Sequence, residues 1–347
     1  MSVLVTGASG RIGRNLCQAL RDRGAQVRAL VLPEDSYRGV LEEMGVECTT
    51  GNLEDYASVL PVVQGVEVVY HLGALLPQRV NAFQLFEANL RGTFYLLQAL
   101  VETGNAASLN RFIFASTDAT YPSGKHLYLP IDETHPQQPT SFYGFTKEAG
   151  ERMCLTYARQ FSIPLIRPRF TFTIEARELL DPRSVAGPLF FLDARIEQLQ
   201  AAAKQGHPGV ADAVDILQSL QQPGQTQLLI AYGADGTPER MTLCDVRDLV
   251  SGLLLLLSEP AALGETFNLG PPSAFTLDRA VKYIAALLDL PFVEARLPLD
   301  PMCFEVSSAR ARAILDYRPT IDIFEMIRTA AETRSPAGVR LDRDSVG

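Results

Sequence analysis

The sequence has no tryptophan, and only four of its 31 basic residues are lysines (Lys125, Lys147, Lys204 and Lys282). It also lacks an excess of positive charge: 40 acidic residues leave a formal net charge of −9. A nucleic-acid partner needs a basic footprint, and the composition provides none. Paired cysteines are missing too. Cys17, Cys48, Cys154, Cys244 and Cys303 are odd in number and widely spaced, with no C-x-x-C pair and no neighbouring histidine. This spacing argues against a metal site and a secreted disulfide framework, and predicts reduced thiols in a cytoplasmic protein. No apolar run approaches the roughly 20 residues of a membrane span. The most apolar stretch, 249–257, is interrupted by Ser251 and Gly252, and the N-terminus enters Ser2-Val3-Leu4-Val5-Thr6 without the features of a signal peptide. What is present is an ordinary globular composition, 47% hydrophobic and 20% charged over 347 residues, enough for one large α/β unit or two lobes.

The first 170 residues alternate β-branched runs with helical patterns. Strands are expected at Val3–Thr6, Gln26–Val31, Glu67–His71, Arg111–Ser116 and Ile163–Arg167, and helices at Ile12–Arg21, Ala82–Val101 and Phe142–Arg159. Apolar strands with crossing helices predict an α/β fold with a Rossmann-like, doubly wound parallel sheet over 1–170. Phe86, Leu90, Phe94, Leu97 and Val101 form an apolar helical stripe, to be buried in the core or by a second subunit. After Arg169 the alternation stops. A smaller, mostly C-terminal α/β lobe is expected over 171–334, with 171–227 as a helical cap of the substrate pocket and about 242–258 returning to the Rossmann layer. Residues 335–347 show no periodicity and read as a mobile tail.

Between the first strand and helix lies Thr6-Gly7-Ala8-Ser9-Gly10-Arg11-Ile12-Gly13. Three glycines at this spacing allow a tight turn, close backbone approach to a pyrophosphate, and close packing of helix on strand. The helix N-terminus adds free N–H groups and the positive end of its dipole. The acid that usually holds the ribose diol is missing from Val31-Leu32-Pro33. Glu34 or Asp35 could serve NAD and Arg38 the 2′-phosphate of NADP, so the choice stays open here.

Tyrosine and lysine four apart on a helix share a face, which lets an ammonium tune a phenol for proton transfer. Of two such matches, Tyr121…Lys125 contains Pro122 and Gly124, which oppose a helix. Tyr143-Gly-Phe-Thr-Lys147 sits in a helical pattern and is the candidate. The fifth strand ends in Ser116-Thr117-Asp118, placing hydroxyls at the carboxyl edge of a parallel sheet, where ligands bind.

Together these residues resemble the extended short-chain dehydrogenase/reductase superfamily, in its epimerase/dehydratase-like branch. The likeness covers the glycine loop, Asn52-Leu53, His71-Leu72-Gly73-Ala74, Asn89-Leu90-Arg91-Gly92-Thr93, the Tyr143/Lys147 pair, Arg167-Pro168, Asp245–Asp248 and Leu315–Thr320. The resemblance implies hydride transfer at nicotinamide C4 of NAD, with NADP left open. Thr117, Tyr143 and Lys147 would be catalytic. Gly7, Ser9, Gly10, Arg11, Ile12, Asn52, Leu53, Leu72, Gly73, Ala74, Asn89 and Pro168 would join Tyr143 and Lys147 in holding the cofactor. Thr117, Asp118, Phe170 and Arg240 would face the substrate. The branch implies a small-molecule substrate, a nucleotide sugar above all, and a homodimer through helices 82–101 and 142–159.

Departures from the branch separate the possible reactions. Ala119 stands where sugar-nucleotide 4,6-dehydratases carry a glutamate, which argues against elimination. Phe170 replaces the asparagine that follows Arg-Pro in the branch, and Arg240 is one residue out of register with Asp248. The leading expectation is therefore an NAD(P)-dependent epimerase or oxidoreductase acting on a sugar. A carbonyl reductase or hydroxysteroid-type dehydrogenase on an apolar ketone is the alternative, and a non-catalytic dinucleotide sensor is a third.

Overall fold

The computed structural model describes residues 1–77, 80–124, 126–204 and 206–333. The expected tail at 335–347 and Lys125 lie outside the described residues. Strands β1 (Ser2–Thr6), β2 (Gln26–Val31), β3 (Glu47–Thr50), β4 (Val68–His71), β5 (Arg111–Phe114), β6 (Leu165–Phe170) and β7 (Thr266–Leu269) form one parallel sheet. Their order is β7-β6-β5-β4-β1-β2-β3, so chain direction across the sheet reverses between β1 and β4. Such a reversal opens a crevice at the carboxyl ends of the two strands.

Alternation along each strand sends neighbouring side chains to opposite layers. Val3 and Val5 join Tyr70, Ile113 and Ile166 on one face, with Leu16 and Leu20 of helix α1 (Arg11–Asp22) and Leu249, Leu253 and Leu256 of helix Val246–Ser258. Leu4 faces the other way with Val69, Phe112 and Phe114, against Leu96, Leu97 and Leu100 of helix α2 (Gly92–Glu102) and Cys154 of helix α3 (Phe142–Phe161). Each fully buried leucine or phenylalanine contributes roughly 1.5–3 kcal/mol.

Two elements differ from the sequence expectation. β3, with sequence ECTT, is a short and polar edge strand, and its pattern carries no apolar run to mark it. The helix expected over Ala82–Val101 is broken by a π-helical turn at Phe86–Arg91 between Ala82–Leu85 and α2. The wider turn shifts the side-chain phase. As a result the stripe splits: Leu90 and Leu97 are buried, whereas Phe86 and Phe94 are exposed, as is the neighbouring Phe83.

The lobe has its own layers. Leu228–Tyr232 pairs in parallel with Phe292–Arg296. Helices Leu192–Ala203 and Val210–Ser219 cover one face through Leu192, Ile196 and Leu217 against Leu229 and Ala295. Helix Leu277–Leu288 covers the other through Ala280, Val281 and Ile284 against Leu228 and Ile230. Two of the described helices within 171–227 thus sit on the lobe's own sheet. Helix Val246–Ser258 packs instead in the Rossmann layer.

Candidate active site

The glycine loop follows β1 directly. Gly7 has φ +68°, and a Cβ there would lie 2.8 Å from the Gly73 Cα and backbone N, so the turn requires glycine. Gly10 N-caps α1 with no side chain bonded into the cap, which leaves the first-turn N–H groups for an anion. The loop fits a pyrophosphate on both counts. Leu53 lies against Gly73 from the end of β3, and Asn52 Oδ1 accepts the Glu54 N–H (3.0 Å) to shape that turn. Leu72 and Ala74 flank Gly73 on the segment after β4, and Ser9 accepts Arg14 through its carbonyl (2.5 Å).

A buried polar chain links this loop to helix α3. Thr6 Oγ1 accepts the Gly73 N–H (3.1 Å) and lies 2.7 Å from His71 Nδ1, while His71 Nε2 is 2.9 Å from Thr93 Oγ1. Thr93 donates to the Asn89 carbonyl (2.5 Å), so its oxygen is left to accept from Nε2–H, and the chain is satisfied by a neutral imidazole. Burial first, and Lys147 second, push the His71 pKa down to about 3. Asn89 is 2% exposed; its side chain clasps both backbone groups of Leu75 (2.7 and 3.0 Å) and donates to Thr146 Oγ1 (3.1 Å), which donates to the Tyr143 carbonyl (2.7 Å).

Helix α3, which carries Tyr143 and Lys147, begins where the Ser141 hydroxyl accepts the Gly144 N–H (3.0 Å). A Cβ on Gly144 would overlap the Ala119 carbonyl. Glycine at this position lets the helix seat against the 118–120 turn and brings Tyr143 to Thr117. The Thr117 hydroxyl lies close enough to the Tyr143 phenol to favour its ionised form, and Lys147 lies one turn further along α3 with Nζ 4.8 Å from the Phe114 ring centre. Burial lowers the Lys147 pKa to about 8, opposed by Cys154 and Glu151. Burial and then the Asp118 charge raise the Tyr143 pKa well above its ordinary value, while the Thr117 hydroxyl lowers it. The free site therefore holds the phenol protonated. Burial also lifts Asp118 to about 7, against bonds from the Thr117 hydroxyl (3.2 Å) and the Phe172 N–H (3.2 Å).

Several expected contacts are placed elsewhere. Phe170 is 8% exposed and packs in the apolar core with Phe267 and Leu269. Arg240 is tied to Glu305 (3.0 Å) and half-exposed. The Arg11 side chain turns from the phosphate site to Glu178 (2.6 and 2.5 Å) and the Thr173 carbonyl (3.1 Å), leaving its backbone N–H to the loop. Ile12 packs on the core, and Pro168 is buried inside β6 opposite Phe267. Arg38 is held by Glu42 (2.8 Å), Thr50 Oγ1 (2.6 Å) and the Cys48 carbonyl (3.4 Å), commitments that compete with a 2′-phosphate. Tyr121 of the rejected pair is buried and bonded to Asn268. The sequence reading missed Glu151, which shares the α3 face of Tyr143 and Lys147 at spacings of eight and four. That periodicity was its available signal. No cluster of three or more metal-ligating side chains occurs among the described residues. Nor is any described helix long and apolar enough to cross a membrane.

A glycine loop at the sheet's switch point, a threonine at a neighbouring strand end and a tyrosine and lysine on the helix beside it resemble the site of a short-chain dehydrogenase/reductase. The model of the NAD dependent epimerase/dehydratase family matches residues 3–270, and the chain belongs to that family. A short-chain dehydrogenase/reductase superfamily protein from Agrobacterium tumefaciens, solved with bound NAD, is 35% identical and superposes with a TM-score of 0.85 over 96% of this chain and 97% of that one. The "Uncharacterized UDP-glucose epimerase YtcB" of Bacillus subtilis is 29% identical over 93% of this chain and 94% of its own. A 4-hydroxy-2-methyl-3-oxo-4-farnesyl-3,4-dihydroquinoline-1-oxide ketoreductase of Stigmatella aurantiaca is 35% identical, but the match spans 49% of this chain and half the length of that protein.

Proposed function

We propose that this protein is an NAD-dependent epimerase acting at a carbinol carbon of a sugar carried on a nucleotide. The observation that carries the reading is the closeness of the Thr117 hydroxyl to the Tyr143 phenol, one helical turn from the buried Lys147 ammonium. When bound, NAD supplies a hydride acceptor and a positive charge. Tyr143 Oη takes the substrate hydroxyl proton and later returns it, so acid and base are one group. Thr117 donates a hydrogen bond to the oxygen that gains and loses that proton. Lys147 places a positive charge near the phenol and favours its ionised form.

The long match to the Bacillus protein supports the nucleotide-sugar substrate, because it includes the lobe as well as the sheet. A second reading, reduction of an apolar ketone, draws on the ketoreductase likeness and on the pairing of Arg240 with Glu305, which leaves less free cation for a diphosphate. Exposed Phe83, Phe86, Phe94, Phe142 and Phe145, on the helices at 82–102 and 142–161, suit a homodimer interface. Five free cysteines suit a reducing cytoplasm. The test incubates the enzyme with NAD and UDP-, GDP- or dTDP-sugars. Epimer formation without net absorbance change at 340 nm, abolished in Tyr143→Phe, is expected. Full activity of Tyr143→Phe rejects the acid/base role, and NADH-dependent reduction of a farnesylated ketone with no epimerisation selects the second reading.

A further inference from the structure

Glu151 is 2% exposed, and its carboxylate is where three elements meet. Oε1 accepts the Ser116 hydroxyl (2.5 Å) and Arg169 Nε (2.9 Å). Oε2 accepts a second guanidinium N–H of Arg169 (2.7 Å) and the Gln137 amide (3.2 Å). The remaining arm of Arg169 donates to the Tyr121 hydroxyl (2.9 Å), which donates to Asn268 Oδ1 (2.8 Å) on β7. Every charge in the cluster is paired.

The strand register gives this arrangement a purpose. β5 ends at Phe114, and the chain resumes pairing only at Ser116–Thr117, which runs parallel to β6 with Ser116 opposite Arg169 and Thr117 opposite Phe170. This ladder is only two residue pairs long. The residue before Thr117 and its cross-strand partner, however, both bond to the same carboxylate, and that carboxylate is one turn beyond Lys147 on α3. A buried ion pair adds little stability beyond an apolar pair of the same volume, because desolvation offsets the attraction. What it adds is direction: bidentate geometry and a short hydroxyl bond fix the relative position of strand end and helix.

We propose that Glu151, with Arg169 and Ser116, is a positioning unit that locks the Thr117 strand end to the helix carrying Tyr143 and Lys147. The proposal rests on the acid/base role given to Tyr143. Its test is hydrogen–deuterium exchange of the NAD-saturated protein, comparing wild type with Ser116→Ala and with the double variant Glu151→Met/Arg169→Leu. The expected result is exchange over 115–121 that is about tenfold faster in both variants, with β1 unchanged, since local opening follows loss of the local bonds. Turnover of UDP-glucose is expected to lose about tenfold in kcat with KM within about twofold. Wild-type exchange over 115–121, or an equal acceleration of β1, overturns the proposal. If the double variant does not fold, Ser116→Ala decides alone, because it leaves the ion pair intact. The exchange measurement needs no substrate, so its failure is distinct from the failure of Tyr143→Phe to lose activity.

Discussion

Replacing Lys147 with methionine should make the ligand-free protein more stable while abolishing its activity. The ammonium is 5% exposed, and burial moves its pKa from 10.5 to about 8. At about 1.36 kcal/mol per unit, holding the charged form in the folded state costs about 3 kcal/mol. The contact with Phe114 at 4.8 Å returns about 1 kcal/mol of that, which leaves a net gain of about 2 kcal/mol for an unbranched apolar side chain of similar length. The pH dependence follows from the direction of the shift. A depressed folded pKa means that the lysine contributes its full stability above about 10.5 and loses it as pH falls through about 8. The advantage of Lys147→Met is therefore largest at pH 6–7, and it shrinks between pH 8 and pH 10.5. Urea unfolding of both proteins without NAD at pH 6, 7, 8, 9 and 10 measures it. A variant that is equally or less stable at pH 6–7, or a gap that stays constant to pH 10, refutes the desolvation argument.

Asp118, lifted to about 7 beside the phenol, should place an ionisation near neutrality in the pH profile of kcat. Asp118→Asn should remove that limb, and a limb that persists assigns it to another group. Phe83 is 84% exposed, so Phe83→Asp combined with Phe94→Asp should halve the mass seen by light scattering. A monomeric wild type at working concentration would falsify the proposed interface.

Much of the sheet is legible in the sequence because its central strands are apolar on both faces. β2 matches its expected bounds, Gln26–Val31, and Tyr143/Lys147 stand out because helix spacing and lysine scarcity leave few rivals. β3 is hidden because an edge strand needs no apolar run, and the π turn because a stripe of spacing four cannot report an inserted residue. Phe170 looked like a ligand contact from its place after Arg-Pro. Its burial depends on which face of β6 it takes, and only the pairing shows that. The Glu151–Arg169 tie is invisible for the same reason: two residues 18 apart in sequence meet only once Ser116 is in register with Arg169.

The anchoring of α1 has a mechanical consequence. Arg11 grips Glu178, and Asn15 and Arg14 reach Glu175, so the helix that would cradle the pyrophosphate also carries the first stretch of chain beyond β6. Any spreading of the lobe away from the sheet must bend beyond residue 178 or break these partly buried pairs. A displacement of the lobe that begins beyond residue 178 would leave the first turn of α1 clamped. Such gearing would let the proposed epimerase keep its dinucleotide seated from one substrate to the next.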